Sequence, residues 1–278
     1  MATAATAATA DTASGGRRPC RELDALTPLP HGEPVPEPVE SEAIGPVMAR
    51  VLRFEGFVDK GGTFFKRLAK NNERTWFLAH KAEYEEGWAA PMKVLLAEVK
   101  EAIDAAYTHS DLGEPKLFRI FRDVRFSKDK TPYKTQVAGI IPLARSGKKV
   151  TDLPMALYFH VGARENVCAA GHYQMEPESL ARFRVAVSED GRGKELTKIL
   201  AGLAKKGFTA DTHERFKRVP RGFAPDHPRA ELLKRRGLVV QFPPLPSGIL
   251  ADAKLSKWLA TGCKAAAPLV EWLTFATA

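Results

Sequence analysis

Apolar and polar positions change their period twice along the chain. From Phe64 to Tyr107 apolar residues recur every three to four positions, the spacing that gathers them on one helix face. Phe64, Phe65, Leu68 and Ala69 make the first stripe, with Thr63 placed to cap it and Asn71 and Asn72 to stop it. Trp76, Phe77, His80, Tyr84 and Trp88 make the second, and Pro91 suits the first turn of a third helix through Val94, Leu95, Val99 and Ile103. An aromatic stripe at this spacing predicts a packed core rather than a ligand platform. From Lys116 the period falls to two, which predicts strands over 116–126, 135–143, 155–161 and 166–175, the last two joined as a hairpin by "GARE". Helical spacing returns over 177–187 and 194–205. A short basic strand, "RFKRV", then leads to the loop "PRGFAPDHP". A helix over 229–236, the strand "LVVQF" and a helix over 253–276 close the chain. Asp226 is the expected N-cap of the helix that follows Pro228.

Helices, then strands, then both together predict an α+β fold, a largely antiparallel sheet packed against helices in a single domain. Residues 1–15 are Ala/Thr low complexity, and "LTPLPHGEPVPEPVE" is a proline-rich acidic linker. Neither can bury enough apolar surface to offset the entropy of ordering, so 1–46 read as a disordered arm and 47–278 as the domain. No GxxxxGK[ST], HExxH or GxSxG occurs, and no GxGxxG follows a strand, which disfavours P-loop, zincin, α/β-hydrolase and dinucleotide-binding readings.

Charge sharpens the picture. The net charge of +9 is uneven, since residues 1–45 hold three arginines against seven acids and therefore contribute -4. Lys116 to Lys149 hold ten basic residues against two acidic, +8 in one stretch. Such a concentration points to an anionic partner, although a charge run by itself is commonly only a solvated face. Cys20, Cys168 and Cys263 are far apart and form no CxxC pair, so a disulfide framework is not expected and a reducing, cytoplasmic setting fits. No apolar run approaches the roughly 20 residues that span a bilayer, so no membrane partner is expected. The N-terminus lacks the continuous apolar core of a secretory signal.

Three segments, "NNERTWFLAHKAEYEE", "FRIFRDVRFSKDKTPYKT" and "PRGFAPDHPRAELLKRRG", resemble the bacterial and fungal family called domain of unknown function 2461. Its signature RxxRDxRFxxDKxPY is matched by Arg119, Arg122, Asp123, Arg125, Phe126, Asp129, Lys130, Pro132 and Tyr133. The resemblance runs from about residue 60 to the C-terminus and is looser at "ENVCAAGHYQMEP". It implies a domain and a focal motif, and brings no activity and no cofactor with it.

Read as a strand, 118–126 places Arg122 alone in the apolar row Phe118, Ile120, Val124 and Phe126. A guanidinium there needs a carboxylate or a bound anion, and Glu83, Glu85 and Glu86 are the candidate internal partners. The other row sets Arg119, Asp123 and Arg125 around Phe121, a fork suited to a phosphate or carboxylate. Lys128, Lys130 and Lys134 extend the candidate anion-binding set, and Asp123 and Tyr133 are the candidate proton-transfer or orienting groups. The plainer reading of Tyr133 is a turn anchor. His160 and His172, on adjacent strands with Tyr158 and Cys168, are expected to share a face. They lack a further ligand at a recognisable spacing, so no metal site is assigned. His227 reads as a loop cap.

Three functions compete. The first is binding of, and action on, a phosphorylated or otherwise anionic small molecule. The second is a nucleic-acid-binding module on the same basic surface, with Phe121 or Phe126 stacking on bases. In the third the motif is an internal salt-bridge network.

Overall fold

A computed structural model describes residues 53–59, 63–145, 155–212 and 214–277. The arm expected over 1–46 lies outside them, as do Lys148 and Lys149 of the basic stretch. The described residues belong to one compact unit, Arg50–Ala278.

The helical stripes become α1 (Thr63–Lys70), α2 (Arg74–Ala79), α3 (Lys81–Tyr84) and α4 (Ala90–Ile103). A π-helical turn over Glu85–Ala89 joins α3 to α4, so the break expected before Pro91 is a change of pitch within a continuing helix. Thr63 does not cap α1. Asp59 does, accepting the Phe64 N–H at 2.7 Å and the Thr63 hydroxyl at 2.8 Å. Phe64, Phe65, Trp88, Met92 and Leu95 are fully buried, as the stripes required.

Then come β1 (Ser110–Leu112), β2 (Lys116–Leu117), β3 (Gln136–Arg145), β4 (Met155–Gly162) and β5 (Asn166–His172). After these follow α5 (Pro177–Ser188), α6 (Asp190–Lys205), β6 (Thr209–Asp211), α7 (Ala230–Leu233), β7 (Leu238–Gln241) and α8 (Lys254–Thr277). The strands form one antiparallel sheet in the order β1-β3-β4-β5-β7-β6, with β2 on the same edge of β3 as β1. The α+β fold with its antiparallel sheet is the one the pattern predicts. Three expectations change. The strand over 116–126 shrinks to Lys116–Leu117, "RFKRV" to a bridge between Arg215 and Arg235, and the helix over 229–236 to Ala230–Leu233. Asp226 does not cap α7; His227 Nδ1 accepts the Arg229 N–H at 3.0 Å instead. No helix among the described residues is long and apolar enough to cross a membrane.

The two sheet faces differ. Leu157, Phe159 and Val161 of β4 share one face with Cys168 and Ala170 of β5, all buried, and α4 and α8 pack there. A Cβ on Gly139 of β3 would lie 2.4 Å from Leu96 of α4, so glycine sets the closeness of that packing. The opposite face carries Ala156 and Tyr158 of β4, Val167 and Ala169 of β5, and Val239 and Gln241 of β7, all half-buried, and is covered at Ala138 and Ile140 of β3 and His160 of β4. This is the open face.

The register corrects one expectation. Tyr158 pairs with Ala169 and His160 with Val167, so even residues of β4 share a face with odd residues of β5. His160 therefore points to the open face with Tyr158, whereas His172 and Cys168 point to the helices.

Candidate functional site

The basic motif does not run as a strand. Phe118 donates its N–H to Ala138 and then the chain leaves β3. It returns as a tight antiparallel pair in which Phe121 opposes Tyr133, Arg122 N–H bonds Pro132 O at 2.9 Å and Lys134 N–H bonds Ile120 O at 2.7 Å. Asn72 closes the free side of this pair: its amide gives a hydrogen bond to Tyr133 O (2.9 Å) and takes one from Tyr133 N–H (3.0 Å). The side chain of a helix-stop residue thus supplies what a neighbouring strand would have given.

Residues 123–131 form the loop of this hairpin, and they satisfy one another. Arg122 bonds Asp129 and the Thr131 hydroxyl, and reaches Thr131 O at 3.3 Å. Asp129 also accepts the Thr131 N–H at 2.9 Å, an Asx-type turn. Asp123 accepts three N–H groups of Arg125, the backbone N–H and Nε at 3.1 Å and Nη2 at 2.8 Å. Lys130 Nζ donates to Val124 O at 2.8 Å. These contacts hold both carboxyls at about 2: Asp123 through its hydrogen bonds from Arg125, Asp129 through those from Thr131 and Arg122. Glu83 and Glu85, two of the expected partners of Arg122, pair with Arg67 and Lys81. The physical reason is the turn, which brings Asp129 back over Arg122 before any distant helix can.

Arg122 is therefore a staple between the ends of its own loop. Arg122→Ala should leave the global melting transition nearly in place, because the loop lies outside the core. Trypsin cleavage at Arg125 and Lys128 should speed on the order of tenfold, since proteolysis tracks the opened loop population. An unchanged cleavage rate would show that the staple does not hold the loop.

Tyr133 is buried, stacked on Phe77 at 4.2 Å and 25° and against Phe121 at 5.4 Å. Its ring anchors the hairpin to α2. Lys128 is exposed at the loop tip, and Phe126 beside it is 95% exposed with the Arg125 guanidinium 5.9 Å from its ring centre.

Lys134 sits differently. Lys134 is half-buried, its ammonium 5.7 Å from the Phe118 ring centre, and it forms no ion pair with a described residue. Burial, and then the positive charge of Arg119, lower its pKa. Phe118 continues onto the open sheet face, where its ring meets Tyr158 at 6.3 Å. The Tyr158 hydroxyl lies 2.9 Å from His160 Nδ1 in a hydrogen bond. Burial drives the His160 pKa down to about 4, only partly offset by the backbone at Glu165, and burial raises the Tyr158 phenol. At neutral pH the imidazole is thus uncharged and the phenol protonated. Lys134, the Phe118 ring and the Tyr158 phenol thus gather near the root of the hairpin, with the His160 imidazole buried beside the phenol and Arg119 close enough to lower the Lys134 pKa.

Sequence reading placed Arg119 and Lys134 in the candidate set and missed Tyr158 and His160 as their companions. The alternation in "MALYFHVG" puts those two on one face. Their proximity to Lys134 depends on the pairing of β3 with β4, which no local pattern encodes. Among the described residues no group of three metal-ligating side chains converges.

An α+β domain whose antiparallel sheet is open on one face, with a stapled basic hairpin at its edge, is the class that this architecture defines. Residues 61–272 match the family described as a conserved hypothetical protein, DUF2461, and the chain belongs to that family. No curated protein and no solved structure matches it.

Proposed function

We propose that the domain binds an anionic small molecule, a phosphorylated or carboxylated compound, on the open sheet face with Lys134 and Arg119 as the cationic end of the site. The single observation that supports this most is Lys134: a half-buried ammonium whose pKa is lowered and whose charge no described carboxylate answers. An anion beside it would reverse the desolvation penalty and quiet the repulsion from Arg119. Phe118 and Tyr158 supply apolar walls, and the half-buried Tyr158 hydroxyl, held by the buried His160, offers a neutral polar group. Arg122, Arg125 and Lys130, first expected to grip the ligand directly, are engaged within the loop, so their part is to hold the hairpin that carries Lys134. Asp123 and Tyr133, taken up by Arg125 and by Phe77, are not assigned proton-transfer roles, and binding rather than turnover is the activity proposed.

The test is a thermal-shift and calorimetric screen of phosphorylated and carboxylated metabolites. A hit should lose affinity on the order of tenfold in Lys134→Met, the loss of one charge-assisted contact, and stay unchanged in Lys128→Met. Equal affinity in wild type and Lys134→Met would overturn the assignment.

The exposed ring of Phe126, flanked by Arg125 and Lys128, favours nucleic acid as a second reading. Binding through several phosphates should weaken steeply between low and moderate salt and fall further in Phe126→Ala, whereas the small-molecule site should respond mildly. A cytoplasmic setting belongs to the same proposal, supported by Cys168 and Cys263, which are buried, unpaired thiols.

A further inference from the structure

The basic segment "RFKRV" and the "KRR" before β7 meet in an antiparallel bridge that pairs Arg215 with Arg235. Cross-strand partners project to the same side of a ladder, so the two guanidinium-bearing side chains rise together. Arg235 is 8% exposed, and its Nε and Nη1 have no hydrogen-bond partner among the described residues. A guanidinium offers five N–H donors, and a buried one is ordinarily saturated by acceptors.

Arg229, six residues upstream, shows what a structural buried arginine looks like here. Its Nε bonds Val187 O at 2.6 Å, and its Nη2 bonds Ser188 O at 3.0 Å, Glu189 O at 3.4 Å and Asp190 Oδ1 at 3.4 Å. A Cβ on Gly193 would lie 2.4 Å from Arg229 Nε, so the chain is shaped around that side chain. Nothing comparable receives Arg235.

The acids that act electrostatically on Arg235, Asp211 and Glu231, are otherwise engaged. Asp211 accepts the Thr212 N–H at 2.7 Å and Gln241 Nε2 at 3.3 Å. Glu231 is held by Lys234 at 2.6 Å and lies 4.0 Å from Arg215. Both lend Arg235 some electrostatic support, yet burial and then Arg215 dominate and lower its pKa. The reverse side of the ladder is positive as well. Arg184 and Arg236 lie 5.0 Å and 5.7 Å from the Phe216 ring centre, and Arg184 Nη2 and Arg236 Nε are also without partners among the described residues, although Arg236 pairs with Glu214.

The geometry points to a second anion site, independent of the one at Lys134, in which Arg235 and Arg215 take a phosphate group. A tetrahedral dianion matches the paired charge and can accept from more than one edge of the guanidinium, which a planar carboxylate engages along one edge only. Lys134 precedes β3 and Arg235 precedes β7, and the register puts the starts of these two strands at opposite ends of the sheet, three strands apart. The two sites are therefore separable by mutation.

The experiment is a titration with inorganic phosphate against chloride at matched ionic strength, reading the melting temperature and the Nε–Hε resonances of arginine-labelled protein. Wild type and Lys134→Met should show a saturable rise in melting temperature, with movement of the Arg235 resonance. Arg235→Met should show neither. Arg215→Gln, at a side chain that is half exposed, should weaken phosphate affinity at least severalfold; it keeps the test alive if Arg235→Met does not fold. A rise in Arg235→Met equal to that of wild type, a static Arg235 resonance, or full affinity in Arg215→Gln would overturn the site. A response lost in Lys134→Met and kept in Arg235→Met would assign the phosphate to the other site.

Discussion

Between neutral pH and pH 5 the protein should lose about 4 kcal/mol of stability, because two buried histidines resist protonation. His160 and His172 are each 1% exposed, and burial lowers both from 6.5 to about 4. Neither ring nitrogen of His172 has a hydrogen-bond partner among the described residues. The unfolded chain takes up these protons near pH 6.5 and the folded chain only near 4. Stability is therefore whole above pH 6.5 and falls through that window, by about 2 kcal/mol per histidine at pH 5. Melting curves at pH 8 and pH 5 check it, with an expected drop of roughly 8–16 °C for a domain of this size. His172→Leu removes a buried polar ring that nothing satisfies, so it should cost little at pH 8 and recover about half of the loss at pH 5. If His172→Leu loses as much on acidification as wild type does, the acid response belongs to other groups. Asp123 and Asp129 cannot mimic it. Their pKa values are depressed from 3.8 to about 2, so whatever they contribute is present above 3.8 and is lost only below it.

The second large effect is at Tyr133. Tyr133→Ala should destabilise the domain by about 3–5 kcal/mol, the usual cost of deleting a buried aromatic ring. The ring is the contact between hairpin and helix, stacked on Phe77 and touched by Phe121. Tyr133→Phe keeps the stack and should change stability little, and it should bind any ligand of Lys134 with unchanged affinity. Chemical denaturation of the two variants measures the first difference, and titration of the Phe variant measures the second. A Phe variant that is stable but has lost binding would return the phenol to the site and restore the orienting role read from the motif.

How far the site could be read beforehand differs residue by residue. Arg119 and Lys134 were legible as cations in an aromatic setting, because composition and the signature name them. The fate of Arg122 was not. Treating 116–126 as a strand set it in an apolar row facing helix glutamates, whereas the turn returns Asp129 to it within seven residues. A local pairing of this kind wins because closing a short loop costs less entropy than reaching a distant helix. The His160–His172 face was misjudged for a related reason, since one residue of register moves every side chain on a strand to the other side. Arg235 looked like one more surface charge in "KRR". Its burial depends on Arg215, twenty positions earlier, arriving opposite it.

The sequence by itself determined the kind of elements and most of their limits: the helical stripes, the long strands β3 to β5, the family signature and the concentration of positive charge. Those follow from period, propensity and composition, which act over a few neighbouring residues. Only the tertiary structure decided which charges were already answered and which were not, because a partner is found through pairing register and the return of distant segments, and burial gives an unanswered charge its energetic weight.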